Sequence, residues 1–126
     1  SKNKIVNMQI KKTGELFGFC CESVAIMKGL NNKKKNDLKK IGLNIGLLFQ
    51  IADDLIDFKG DSKVVGKLTG KDKIRGKATL VNLLGYYKTL NFAKKLKNKI
   101  DKDIKKYGTK ADSLLKSVEY ILKREL

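Results

Sequence analysis

An all-α fold is predicted for this chain on three observations. No proline interrupts its 126 residues. Apolar side chains recur at helical spacing through four long segments, and no apolar–polar alternation runs far enough to make a strand. Length and a hydrophobic content of 41% suit one helical domain over residues 1–126, with no room for a second.

The first predicted helix runs from about Ile5 to Lys28 and carries Leu16, Phe17, Phe19, Cys20, Val24, Ala25 and Met27. Its second half is apolar nearly all round, which predicts burial. Gly29, Asn31 and Asn32 supply a stop, and a second helix is expected from Asn36 or Asp37, as its cap, to about Phe58. Gly42 and Gly46, one turn apart within it, permit a neighbouring helix to come close. From Lys59 to Gly76 the pattern fails, with Gly60, Gly66, Gly70 and Gly76 set among lysines, so a ligand-ordered loop is expected there. A third helix is read from Lys77 to Tyr107, with Leu80, Leu83, Leu84, Tyr87, Leu90, Leu96, Ile100 and Ile104 on one stripe and Gly108 ending it. The last, Asp112 to Arg124, repeats the pattern through Leu114, Leu115, Val118, Ile121 and Leu122, with a cap expected at Thr109 or Asp112.

Composition removes several function classes. Histidine is absent, which excludes serine–histidine and cysteine–histidine catalysis and the usual zinc sites. Adjacent Cys20 and Cys21 cannot staple distant segments together and read as reduced packing residues. A net charge of +16 raises nucleic acid as a partner. Nearly all of it is lysine on polar helix faces, with Arg75 and Arg124 the two arginines, and base or bidentate phosphate recognition favours arginine. No nucleic-acid role is therefore expected. Apolar runs break well before the ~18 residues a bilayer span needs, and no cleavable signal is visible, so an integral membrane protein is not expected and a cytoplasmic location is.

The chemistry concentrates in Phe49-Gln50-Ile51-Ala52-Asp53-Asp54-Leu55-Ile56-Asp57. Asp53 and Asp57 share a helix face, with Asp54 one step around it and Gln50 one turn above. Two unpaired carboxylates roughly 4 Å apart repel by about 4 kcal/mol at an effective dielectric near 20, so the face calls for protons, lysines or a metal. Mg2+ suits it, because that ion takes one or two carboxylates and completes its octahedron with phosphate oxygens and water. Three lysines attach themselves to this face if its partner is a phosphate ester. Lys12 lies in the buried-looking first helix, where an ammonium needs an anion; Lys67 follows Gly66; and Lys77 follows Gly76 at a helix start, where free N–H groups favour anions.

In order and spacing, Lys12-Thr13-Gly14-Glu15-Leu16-Phe17, then Ile45 to Asp57, Gly60-Asp61, Val65-Gly66-Lys67, Asp72, Gly76-Lys77-Ala78-Thr79 and Tyr120 to Arg124 resemble the C-terminal half of the trans-prenyltransferases. This is the farnesyl and geranylgeranyl diphosphate synthase family, and the likeness is greatest to bacterial farnesyl diphosphate synthases. The resemblance covers essentially the whole chain and implies the C-terminal helices of the isoprenoid synthase bundle. By the same resemblance Asp53, Asp54 and Asp57 match the second aspartate-rich motif, which helps hold one Mg2+ against the allylic diphosphate. Lys12 and Lys67 match lysines that contact that diphosphate, and Lys77 a further lysine near it. Thr13 and Gln50 match groups whose oxygen dipoles face the developing allylic cation, so that Lys12, Thr13 and Gln50 are the implied catalytic side chains. The implied reaction is ionisation of dimethylallyl or geranyl diphosphate, attack by isopentenyl diphosphate, and loss of a proton.

The family's first aspartate-rich motif and its upstream basic residues do not occur here; Asp53-Asp54 is the sole Asp-Asp pair, and no arginine precedes Arg75. The expectation is a C-terminal piece of a longer enzyme, inactive alone, whose full-length form is a homodimer. An alternative is a non-catalytic diphosphate-binding subunit that needs a partner chain. Either way, apolar faces around Phe17, Phe19 and Val24 are expected to stand open, and the piece to associate with itself.

Overall fold

The computed structural model describes residues 1–65 and 78–124, with side chains described over 1–60 and 78–124. Helix α1 (Lys2–Gln9) passes through a π-helical turn (Ile10–Gly14) into α2 (Glu15–Met27). Next come α3 (Asn32–Val65), α4 (Leu80–Leu84), α5 (Tyr86–Lys105), a 3-10 turn (Gly108–Ala111) and α6 (Asp112–Lys123). The fold is all-α, and no strand occurs among the described residues. No helix among them is long and apolar enough to cross a membrane.

Helix α3 is the axis, packed by every other helix. Its Ile41, Ile45, Leu48, Ile51 and Leu55 form the centre of a core closed by Leu80 and Val81 of α4, Ala93, Ile100 and Ile104 of α5, and Val118 and Leu122 of α6. Gly29, at φ 65°, ends the α2 segment as expected. The next helix starts earlier than predicted, at Asn32, because Asn31 supplies the cap: its Oδ1 accepts from the Lys34 N–H at 2.9 Å. At the other end α3 continues to Val65, through part of the stretch read as loop. Tertiary contact carries it past Lys59 and Gly60: the Phe58 ring stacks on Tyr86 with centroids 6.0 Å apart, and the Lys59 ammonium lies 5.4 Å from the same ring. The remainder of the predicted loop, with Lys67 and Lys77, lies outside the described residues.

Two helices replace the predicted third. Gly85 adopts φ 85°, a conformation that L side chains resist, and it breaks the run between α4 and α5. The stripe is reset there, so Leu83 and Tyr87 are exposed while Thr89 and Ala93 are buried. The Thr89 hydroxyl stays paired by donating to the Gly85 carbonyl at 2.8 Å. Gly108, at φ 77°, follows α5 as expected, but α6 begins after Ala111 with no side-chain cap rather than behind Thr109 or Asp112. Lys97 ties the last two helices by reaching Asp101 at 2.6 Å on α5 and Glu119 at 3.6 Å on α6.

The closest helix pair is α2 on α3. A Cβ at Gly46 would stand 2.6 Å from the Gly14 Cα, and one at Gly42 would collide with the Phe17 carbonyl oxygen and lie 2.8 Å from the Gly18 Cα. The opposite side of α2 is open: Leu16, Phe19, Val24, Ile26 and Met27 are exposed, against the all-round burial read from the apolar pattern but in line with the open face expected at Phe19 and Val24. Cys20 is exposed with them and Cys21 half-buried, so only the second packs. Phe17 is half-buried against Phe49, ring centroids 5.7 Å apart. We expect Gly42→Ala to cost about 1–3 kcal/mol in urea unfolding, since backbone rather than a flexible side chain blocks the added methyl. Gly60→Ala, where no described atom lies within 4 Å, should instead gain about 0.5–1 kcal/mol from helix propensity.

Candidate active site at the α1–α3 seam

Four side chains, Gln9, Thr13, Gln50 and Asp54, meet where α3 lies opposite the π-helical turn. The turn inserts one residue into the helix, and the Glu15 N–H donates to the Ile10 carbonyl five positions back. Buried residues on this edge accordingly run Ile5, Gln9, then Gly14, Gly18 and Ala25, with a step of five at the turn. An uninterrupted α-helix would swing Gln9 and Gly14 about 140° apart. With the turn in place Gln9, Thr13 and Gly14 all face α3.

Facing them, α3 presents Gln50 and Asp54, with Phe49 and Asp53 on the adjoining rotation and Asp57 one turn on. Thr13 donates through Oγ1 to Gln50 Oε1 at 3.0 Å, Gln50 Nε2 donates to Asp54 Oδ1 at 3.2 Å, and Gln9 Nε2 donates to Asp54 Oδ2 at 2.6 Å. Each link fixes the next: two amides hold the carboxylate, which orients the Gln50 amide so that its oxygen meets the threonine. The Gln9 residue is buried, and its Oε1 is the one buried side-chain polar atom without a hydrogen-bond partner among the described residues. Asp53, on the neighbouring rotation, receives the Arg124 guanidinium at 3.2 Å, and that group lies 5.1 Å from the centre of the Phe49 ring. Asp57 is exposed one turn on.

The three carboxylates therefore have different surroundings. Burial raises the Asp54 carboxyl above the ordinary carboxylate range; the hydrogen bond from Gln50 opposes this, the charge of Asp57 reinforces it, the Gln9 bond opposes it again and Asp53 adds a last upward push. Among the described residues no three acidic or cysteine side chains converge as a ready metal cage. The donor set that faces outward is Asp53 and Asp57, two hard oxygen ligands on one helix face, which fits an ion that draws its remaining ligands from phosphate and water. Arg124 already stands at Asp53 as a cation of the chain's own, so this edge attracts positive charge.

Of the residues singled out in the sequence, Thr13, Gln50 and Asp54 are brought into direct contact. Lys12 is exposed, not buried, so burial gives its ammonium no need for an anion. Lys67 and Lys77 fall outside the described residues. Sequence reasoning missed Gln9 and gave Arg124 no role. Gln9 lies one turn after Ile5 on the same buried edge, and a polar residue in an apolar register is the signal that marks it.

The polyprenyl synthetase family model matches residues 1–118. The chain belongs to the polyprenyl synthetase family. It is 40% identical over 83 residues to a farnesyl diphosphate synthase of Micrococcus luteus, covering 66% of this chain and 28% of that protein. It is 35% identical over 113 residues to a dimethylallyltranstransferase of Fischerella ambigua, 90% of this chain and 33% of that one. A chloroplastic geranylgeranyl pyrophosphate synthase of Catharanthus roseus is 34% identical over 119 residues, 94% and 33% of the two chains. The chain thus spans about a third of the length of these curated relatives.

The Asp54 environment has a pH signature. A carboxyl raised on folding favours the native state below its unfolded value, 3.8, and that contribution is lost as pH rises through the higher folded value. In urea unfolding, the stability of the wild type relative to Asp54→Asn should therefore fall as pH is raised from 3.8 towards neutrality. A difference that is flat or rising over that window would contradict the assignment.

Proposed function

We propose that the chain forms the diphosphate-ionising part of a short-chain trans-prenyl diphosphate synthase that joins isopentenyl diphosphate to dimethylallyl or geranyl diphosphate. The observation that carries this reading is the hydrogen-bonded line Thr13–Gln50–Asp54 beside the outward carboxylates Asp53, paired with Arg124, and Asp57, in a chain of this family. Asp53 and Asp57 would hold Mg2+, which when bound supplies positive charge against the leaving diphosphate. Asp54, given the same role by the sequence resemblance, is occupied by Gln9 and Gln50, so its part in the proposal is to hold the amide that faces Thr13.

Each remaining residue is assigned by what it can do to charge. Lys12, exposed beside Thr13, would pair with a diphosphate oxygen, and Lys67 and Lys77 take the same role in the proposal. Thr13 donates its hydroxyl to the Gln50 amide oxygen across the seam, and the lone pairs that these two oxygens keep free would stabilise an allylic cation formed next to them. Their mutual hydrogen bond keeps them oriented before substrate arrives, which lowers the reorganisation needed during ionisation. Farnesyl diphosphate as product is supported by the likeness to the Micrococcus luteus protein. A cytoplasmic location and a homodimer of the full-length enzyme belong to the same proposal.

No second Asp-Asp pair occurs in residues 1–126. The reading therefore assigns turnover to the whole length seen in the relatives, and these residues alone should not catalyse the condensation. The test is a Mg2+-dependent assay of a full-length enzyme carrying this sequence, with isopentenyl and allylic diphosphates. Asp53→Asn should lower kcat by about 10²-fold or more, the usual scale for losing an electrostatic stabiliser. Full activity after replacing both Asp53 and Asp57 would end the proposal.

A further inference from the structure

Arg124 sits at the end of α6, 71 positions along the chain from the carboxylate it meets. Three contacts place it. Its Nε donates to the Ile121 carbonyl in the last turn of its own helix at 3.4 Å, one terminal nitrogen reaches Asp53 Oδ1 at 3.2 Å, and the guanidinium carbon stands 5.1 Å from the centre of the Phe49 ring. Phe49 precedes Asp53 by one turn of α3, so ring and carboxylate form adjacent walls of a seat for a flat cation. The Asp53 and Arg124 side chains retain only 38% and 28% of their exposure, which limits screening of the pair. Asp54 is the less available counter-ion, because Gln9 and Gln50 already donate to its two oxygens.

We infer that Arg124 is a tethered competitor for the divalent cation: it fills the charge site at Asp53 when the ion is absent and must leave when the ion binds. This rests on the assignment of Asp53 to Mg2+ made above. A second full positive charge beside the guanidinium is unfavourable, so binding of the ion and seating of Arg124 oppose each other, and by linkage the opposition is reciprocal. Since Arg124 caps α6, ion binding would also loosen the end of that helix. The exchange links the carboxylate face of α3 to the C-terminal end of the described chain.

Titration of the chain with Mg2+ by calorimetry, repeated with Mn2+ by electron paramagnetic resonance, tests both steps. Arg124→Gln should tighten Mn2+ binding by about three- to tenfold, the range spanned by one partly shielded ion pair and one cation–ring contact. Arg124→Lys, which keeps the charge but loses the flat fork, should fall between Arg124→Gln and the wild type. In the wild type, saturating Mg2+ should speed amide hydrogen exchange over the last turn of α6, and in Arg124→Gln it should not. If Asp53→Asn leaves metal binding unchanged, the metal assignment fails and this inference with it. If Asp53→Asn abolishes binding while Arg124→Gln and wild type bind Mn2+ equally, the competitor role alone is overturned.

Discussion

The close approach of α2 to α3 is the constraint on which the site depends. Gly42 and Gly46 present bare backbone to Gly14, Phe17 and Gly18, and any side chain there would force the helices apart. The 3.0 Å bond between Thr13 and Gln50 spans this same contact. A hydrogen bond weakens steeply with distance, so a shift of even an ångström along the seam would detach Thr13 from the line that ends on Asp54. The π-helical turn is the second half of the constraint. It lets one edge serve two purposes, packing through Gly14 and Gly18 and presenting polar groups through Gln9 and Thr13.

Electrostatics then divides labour among carboxylates that the sequence presents as equals. Asp54 points into the seam, is partly desolvated, and is held there by two amide donors. Asp53 points to the edge, where its partner is a charged side chain, Arg124, rather than a pair of amides. Asp57 lies in solvent. A carboxylate already satisfied by fixed donors is a poor recruit for a hydrated ion, since those bonds must be given up. The outward pair is not so committed, and positive charge gathers at it. Orientation within one helical turn thus separates a structural acid from the candidate ligands.

Much of this was legible in the residues, and the failures have physical causes. Helical class, the stop at Gly29, the end at Gly108 and the close approach at Gly42 and Gly46 follow from backbone freedom and spacing, which are local properties. The break at Gly85 was missed because the apolar repeat continues through it by coincidence, and only the positive φ reveals that the register has been reset. The extension of α3 past Phe58 depends on Tyr86, a residue distant in the chain. Lys12 reads as part of a buried helix because the segment that follows it is apolar nearly all round, whereas only one side of that segment meets α3 and Lys12 itself, in the π-helical turn, is exposed. Gln9 and Arg124 are tertiary partners of aspartates 45 and 71 positions away, and no local pattern encodes such a pairing.

The open face of α2 bears on what the site can do by itself. Leu16, Phe19, Ile26 and Met27 are exposed along α2, which follows directly on the turn that positions Thr13. Helices of so little intrinsic polarity are held by packing more than by propensity, and α2 is packed on one side only. Its contact with α3 is glycine-rich, close in distance but poor in side-chain area, so shape carries more of the association than apolar burial does. Any polypeptide surface that covered the open side would press the turn against α3 and stiffen the Thr13–Gln50 bond without touching either residue.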